Sequence, residues 1–143
     1  MGKLAKWLRL LGFDTLYESD APKAGTTGFW EKDRIFLTRT KKRFLGHTGL
    51  QRHIFISSDR VAGQLVEVIQ TLGFVSADLR LFSRCIRCNQ PIKTVGKEEV
   101  VASVPEYVWE IHDVFKSCGS CGRVYWPGSH IERSYKMITR LFS

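Results

Sequence analysis

The chain has 143 residues, 43% of them hydrophobic and 12% aromatic, and a formal net charge of +8. This length accommodates one ordinary domain or two small ones, and the apolar content excludes a wholly disordered chain. The longest apolar runs fall far below the ~20 residues that cross a bilayer, and no signal peptide is recognisable. We therefore expect a soluble protein in a reducing intracellular compartment, without a membrane partner.

The positive charge is concentrated in the first part of the chain. Residues 1–84 carry 14 Lys and Arg against 8 Asp and Glu, whereas residues 85–143 carry 8 against 6. The densest basic cluster consists of Arg39, Lys41, Lys42 and Arg43. Such a field attracts polyanions, so the cluster favours a nucleic-acid partner over the alternative of a merely solvated basic surface.

The N-terminal segment predicts a helix followed by a short strand and a loop. Residues 3–12 (KLAKWLRLLG) place their leucines at helical spacing, with Gly12 in the position of a C-terminal stop. Residues 13–17 (FDTLY) predict the strand, and residues 19–30 are rich in turn formers.

Two buried strands and a second helix are expected next. Residues 34–38 (RIFLT) and 53–57 (HIFIS) are short apolar runs, and residues 60–73 (RVAGQLVEVIQTLG) form an apolar stripe that ends at a glycine. Strands that alternate with helices, without hairpin turns, predict a parallel α/β sheet whose ligand site lies at the strands' C-terminal ends. The basic cluster follows one of those ends and Asp59 the other, although Thr40 and Asp59 also suit helix N-caps.

The four cysteines form two pairs of identical spacing. Cys85 and Cys88 are separated by two residues, as are Cys118 and Cys121, with 29 residues between the pairs. Two such turns supply the tetrahedral four-sulfur shell that zinc accepts, and the long gap suits a ribbon built from two hairpins. Gly119 and Gly122 suit the second turn, because such turns need backbone freedom. Asn89 can do the same in the first turn, because Asn tolerates the left-handed conformation.

We therefore predict a structural zinc ion. The alternatives are two disulfides or four free thiols, and the lack of a secretory signal argues against disulfides. A complete set of four protein ligands leaves no open position for catalysis. His130 could offer a fifth ligand, but a structural or surface role is favoured, and Tyr125 and Trp126 are expected to be core residues of the ribbon rather than a base-stacking platform.

Two domains are expected, with a boundary near residue 84. Residues 1–83 form the α/β domain, and residues 84–143 form the zinc ribbon with a C-terminal helix over 131–142. No Pro/Gly-rich linker separates them, so we expect the two parts to pack closely.

In this order, the segments resemble the Mut-seven C-terminal RNase domain family, which has a PIN-like nuclease fold and a zinc ribbon. The resemblance is carried by GKLAKWLRLLGFDTLY (2–17), RIFLTR (34–39), SSDRVAGQLVEVIQTLG (57–73), RCIRCNQPI (84–92), KEEVVASVP (97–105) and CGSCGRVYWPGSH (118–130).

The resemblance implies metal-dependent RNA cleavage. Nucleases of this kind gather carboxylates at the ends of parallel strands to hold Mg²⁺ or Mn²⁺. Asp59 matches the family's acidic cluster, and Asp14 and Asp20 are candidate neighbours; the alternatives are a strand-edge surface residue for Asp14 and a loop residue for Asp20. Three features depart from the family. The usual strand before the first helix, which ends in Asp, is missing, and Thr40 stands where an Asp is usual. A glycine-bearing loop at residues 20–30 replaces the helical segment that usually lies between the second and third strands.

Two functions from different classes follow. The favoured one is a degenerate PIN-like module that binds RNA without cleaving it, in a ribonucleoprotein such as a ribosome. The alternative is an active metal-dependent RNase completed by a carboxylate from outside this chain, and a protein–protein adaptor ranks third. The predicted RNA contacts are Arg39, Lys41, Lys42, Arg43, Arg60, Arg87 and Arg123.

Overall fold

Helix α1 spans Gly2–Leu10 and buries one face of leucines. The computed structural model describes residues 1–17, 34–41 and 53–143. Leu4, Leu8 and Leu11 are buried on the face that the helical spacing predicted. Gly12 has a φ of +98° and ends the helix, because this left-handed conformation is strained for any residue with a Cβ.

Two short strands form the predicted parallel pair. Strand β1 (Phe36–Thr38) lies beside β2 (His53–Phe55), with Leu37 opposite Ile54. Helix α2 spans Val61–Leu72 and stops at Gly73, whose φ is +68°. Both strands and the second helix are therefore confirmed, with strand bounds shorter than predicted.

The strand predicted at residues 13–17 is wrong. Residues 13–17 pair with no strand in the described part of the chain. Side chains form the hydrogen bonds of the Thr15 backbone instead. The Thr15 N–H donates to Asn89 Oδ1 (3.0 Å), and the Thr15 carbonyl accepts from Arg9 Nε (2.8 Å). The run FDTLY was compatible with a short strand, but the hydrogen bonds of Thr15 with Arg9 and Asn89 hold the segment as a loop.

A three-stranded antiparallel sheet follows α2. Strands β3 (Ile92–Val95) and β5 (Val124–Tyr125) flank β4 (Phe115–Cys118). Short 3-10 turns occupy Ser76–Asp78 and Lys97–Val100, and helix α3 spans Glu106–Ile111. A small second core lies beneath α3, where Val100, Val108 and Phe115 are buried together.

Helix α4 spans Ser129–Leu141 and returns to the first part of the chain. Its Ile138 is buried in the larger core, together with Leu4 and Leu8 of α1 and Leu65 of α2. The predicted C-terminal helix is therefore confirmed, and residues from both ends of the chain share one core. The observed architecture is mixed α/β, with one small parallel sheet and one antiparallel ribbon.

None of the helices in the described ranges is both long enough and apolar enough to cross a membrane.

Candidate metal centre and the strand edge

The four cysteines converge at one point between the two turns. The four Sγ atoms of Cys85, Cys88, Cys118 and Cys121 all lie within 4.8 Å of one another, and all four cysteines are unpaired thiols. Cys85 and Cys118 are fully buried, and the second cysteine of each pair is half-buried. This compact set of soft ligands is the arrangement that a tetrahedral metal requires.

The two turns are near copies of each other. In the first, Asn89 N–H donates to the Cys85 carbonyl, and in the second, Gly122 N–H donates to the Cys118 carbonyl, both at 2.8 Å. Asn89 and Gly122 have φ values of 63° and 71°, so the expected left-handed residues close both turns. Gly119 does not have a positive φ, so its predicted need for backbone freedom was wrong.

The thiols of the cluster are unequal. Burial opposes ionisation of Cys85, but hydrogen bonds from the Tyr125 hydroxyl (3.0 Å) and from the backbone N–H groups of Cys88 and Arg87 lower its pKa to about 7. Burial, the hydrogen bond with Cys121 and the neighbouring thiols raise the pKa of Cys88 to about 12. A divalent cation at this point would offset the repulsion between neighbouring thiolates, and its binding would displace the protons of the thiols. The donor set therefore fits a bound Zn²⁺.

Tyr125 has a role that the sequence did not indicate. Its hydroxyl donates to Cys85 Sγ and accepts from the Ile86 N–H at 3.2 Å. A hydrogen bond to a ligand sulfur orients it and stabilises its thiolate form. Trp126 packs against the second core, as predicted, and the exposed His130 lies outside the cysteine cluster.

Arg9 connects helix α1 to the first cysteine turn. Although it lies among the lysines of α1 in the sequence, Arg9 is buried, with 4% of its surface exposed. Its Nη1 donates to the carbonyls of Ile86 and Arg87, each at 3.0 Å. These two residues lie between Cys85 and Cys88. Asn89 extends this connection, since its Nδ2 donates to Asp14 Oδ1 at 2.6 Å.

At the C-terminal end of the parallel pair, Asp59 forms an ion pair with Arg39. The carboxylate of Asp59 does not cap α2, whose N-cap is Arg60 without a side-chain hydrogen bond, so the predicted cap was wrong. Arg39, Thr40, Lys41 and Arg60 are all exposed around this edge. Those of the predicted strand-end residues that the structure describes are therefore exposed there, and Asp59 is paired with Arg39.

Glu67 is a second carboxylate at this edge, and sequence reasoning missed it. Its carboxylate accepts from Ser57 N–H (2.8 Å), Ser57 Oγ (3.0 Å) and Ser58 N–H (2.7 Å). These hydrogen bonds, with that from the Ser57 backbone the largest, lower the pKa of Glu67. Glu67 therefore fixes the loop that follows β2. The sequence did contain a signal for this role, because Glu67 lies on the second turn of the helix that follows β2.

The structure does not bring Asp14 to Asp59. Asp14 pairs with Arg34, before β1 begins, at 3.0 Å, whereas Asp59 pairs with Arg39, after β1 ends. Burial opposes ionisation of Asp14, but the hydrogen bonds from Asn89 and Arg34 lower its pKa. Within residues 1–17, 34–41 and 53–143, the four cysteines are the one cluster of three or more groups that could hold a metal.

Two of the predicted RNA contacts lie at the cysteine turns of the ribbon. Arg87 and Arg123 are exposed, one within the first cysteine turn and one directly after the second. Asp20, Lys42 and Arg43 lie outside the described residues.

These elements define a mixed α/β protein with a four-cysteine metal-binding ribbon, and the family can now be identified. The family described as Mut7-C RNAse domain matches residues 1–138 of the 143-residue chain. The chain therefore belongs to this family, as the resemblance indicated, and its function is related to nucleases and RNA. No curated protein and no solved structure matches it.

Proposed function

We propose that this chain is an RNA-binding member of the Mut7-C RNAse domain family that does not cleave RNA by itself. In this proposal a PIN-like α/β fold presents a basic edge to RNA, and a structural zinc ion holds the ribbon. Its place would be in a ribonucleoprotein such as a ribosome. The observation that carries the proposal is the ion pair between Asp59 and Arg39.

A nuclease of the family's type needs carboxylates that are free to bind Mg²⁺ or Mn²⁺. The negative charge of Asp59 is offset by Arg39 in the ion pair, and Thr40 offers a neutral hydroxyl where a carboxylate is usual. Lys41 adds a further positive charge beside them. This local field favours phosphate over a divalent cation.

The basic residues are suited to phosphate contacts. Arg39, Lys41 and Arg60 are exposed around one edge, so their charged groups can reach a polyanion. Arg87 and Arg123 are exposed on the two cysteine turns, which are held rigidly by their closing hydrogen bonds. Each phosphate that is neutralised on a single strand contributes about 0.7 to the slope of log affinity against log salt. Binding should therefore weaken steeply as salt rises.

Zinc has a structural part in this function. Cys85, Cys88, Cys118 and Cys121 provide all four ligands that tetrahedral zinc accepts, so no position remains for a reacting water. Metal analysis of the purified protein should give one zinc per chain. A protein that folds and binds RNA without stoichiometric zinc would contradict this part of the proposal.

RNA binding is tested with labelled single-stranded RNA and fluorescence anisotropy at several salt concentrations. The double variant Arg39→Ala/Lys41→Ala should weaken binding of all sequences alike and reduce the salt slope by roughly 1–1.5. Lys136→Ala, a change at an exposed lysine of α4, is the matched control and should bind as wild type. Unchanged binding by the double variant would show that the edge is only a solvated surface.

An active RNase is the second candidate, favoured by the exposure of Asp59. Its side chain is 89% exposed, and a pair this accessible contributes only about 0–1 kcal/mol, so a metal could compete with Arg39. Incubation of labelled RNA with Mn²⁺ and wild type or Asp59→Asn distinguishes the two functions. Cleavage that disappears in Asp59→Asn would establish the enzyme and refute the degenerate module.

A further inference from the structure

The segment from Lys97 to Val114 reverses the charge of the rest of the chain. It contains one lysine and five carboxylates, although the whole protein carries +8. All five carboxylates are exposed: Glu98, Glu99, Glu106, Glu110 and Asp113. The ribbon therefore has an acidic surface in a protein that is otherwise basic.

The same segment exposes large apolar side chains. Among the described residues, four of the eight large hydrophobic side chains that are exposed lie here: Val101, Tyr107, Ile111 and Val114. Tyr107 is 66% exposed and Ile111 is 70% exposed. Exposed apolar residues are ordinary when scattered, but such a concentration in a short segment marks an interaction surface.

Helix α3 arranges both features on its outer face. Tyr107 and Ile111 are four residues apart and so are neighbours on the helix surface. Glu106 and Glu110 have the same separation and form an acidic row directly beside them. On the opposite side of α3, Val108 is buried in the second core. We call the surface of these four outward residues, 106, 107, 110 and 111, the α3 face.

The α3 face is held in place from below. Trp109 Nε1 donates to the Lys97 carbonyl at 2.9 Å, and the Lys97 ammonium lies 4.7 Å from the centre of the Trp109 ring. Lys97 also pairs with Asp113 at 3.3 Å. Lys97, the single lysine of the segment, therefore pairs with Asp113 and not with Glu106 or Glu110. Neither of these two glutamates forms an ion pair with any described residue. Their charge remains available to a partner.

We propose that the α3 face docks a basic amphipathic helix or strand of a partner protein. Apolar side chains of the partner would cover Tyr107 and Ile111, while its Lys or Arg would pair with Glu106 and Glu110. Complementary charge determines the kind of partner, because the acidic row repels the phosphates of RNA and of anionic lipid. An aromatic and an aliphatic anchor with a charged rim is the composition of a protein interface. This surface is separate in sequence and sign from the basic edge proposed for RNA.

The test uses the zinc-loaded full chain and a labelled synthetic peptide of 18 residues, with leucines at helical spacing and lysines elsewhere. Fluorescence anisotropy should show saturable binding that weakens with salt. The same peptide with every lysine replaced by glutamate should not bind. Tyr107→Ser/Ile111→Ser and Glu106→Gln/Glu110→Gln should each weaken binding of the lysine peptide at least about tenfold.

Val75→Ser is the matched control for the apolar change, because Val75 is 56% exposed and lies before the ribbon. It should leave peptide binding unchanged, and none of the variants on the α3 face should change RNA binding. Zinc content and tryptophan fluorescence verify that each variant is folded. Equal binding of the lysine and glutamate peptides, or binding that survives both double variants, would overturn the proposal. So would a concentration-dependent dimer that Tyr107→Ser/Ile111→Ser abolishes, since the face would then hold a second copy of this chain.

Discussion

Replacement of Arg9 by methionine tests whether helix α1 supports the first cysteine turn. The guanidinium donates to three carbonyls, those of Thr15, Ile86 and Arg87, at 2.8–3.0 Å. Methionine has a similar length and suits a helix, but it leaves these carbonyls without the charged donor. The change therefore isolates the polar contribution of Arg9 from its packing.

The expected loss of stability follows from those three bonds. A hydrogen bond to a charged group contributes about 1.5–3 kcal/mol, but the bonds are not additive, and removal of a buried charge recovers part of its desolvation cost. We therefore expect Arg9→Met to lower the free energy of unfolding by roughly 2–4 kcal/mol. With a slope of about 1.5–3 kcal/mol per molar urea, the unfolding midpoint should move by about 1–2 M.

The assay is urea unfolding of the zinc-loaded chain, followed by far-ultraviolet circular dichroism, together with chelator competition for zinc. Zinc affinity should also fall, because the Ile86 and Arg87 carbonyls lie between Cys85 and Cys88. Lys6→Met makes the same kind of change at an exposed position of α1 and should stay within about 0.5 kcal/mol of wild type. If the two variants unfold and bind zinc alike, the reasoning about Arg9 is refuted.

Two further predictions concern single positions. Gly12→Ala should lose more stability than Gly73→Ala in the same urea assay, because a Cβ at Gly12 would lie 2.5 Å from the Arg80 carbonyl oxygen, whereas one at Gly73 meets nothing within 4 Å. Both sites have positive φ, so equal losses would show that the Arg80 contact is unimportant. Glu67→Gln should destabilise the protein at pH 7, since the pKa of Glu67 is lowered in the folded state and its contribution is present above the ordinary value of 4.5. That contribution is lost as pH falls through the folded pKa, so wild type and variant should converge in acid unfolding curves; a constant difference would contradict the assignment.

Local patterns in the sequence were sufficient for helices α1, α2 and α4, for the parallel strands β1 and β2, and for the cluster of four cysteines. The leucine spacing of α1 and the stop at Gly73 depend on neighbours within a few residues, and so does the closure of each cysteine turn. Asn89 was correctly expected to adopt the left-handed conformation. These features were predictable because the residues that interact to form them are close together in the sequence.

Other features depend on partners far along the chain and were not predictable in this way. Arg9 is buried, and two of the carbonyls that accept from its guanidinium belong to Ile86 and Arg87, 77 and 78 residues away. Thr15 lies in a loop rather than a strand because its N–H finds the Asn89 side chain, 74 residues away. Helix α3 has six residues, too few to display a helical period with certainty, and its core partners are supplied by β4 and the preceding 3-10 turn.

The hydrogen bonds of the first cysteine turn imply that the metal acts on more than the ribbon. Asn89 closes the turn with its backbone and holds Thr15 and Asp14 with its side chain, so one residue serves both the cysteines and the loop after α1. Arg9 makes the same connection from the other direction. Metal binding is expected to fix the conformation of the turn. A fixed turn holds the Ile86 and Arg87 carbonyls and the Asn89 side chain in position for Arg9, Thr15 and Asp14. Because α1 packs in the same core as α2 and Ile138 of α4, we expect a bound ion to stabilise the larger core through α1 as well as the ribbon that contains its ligands.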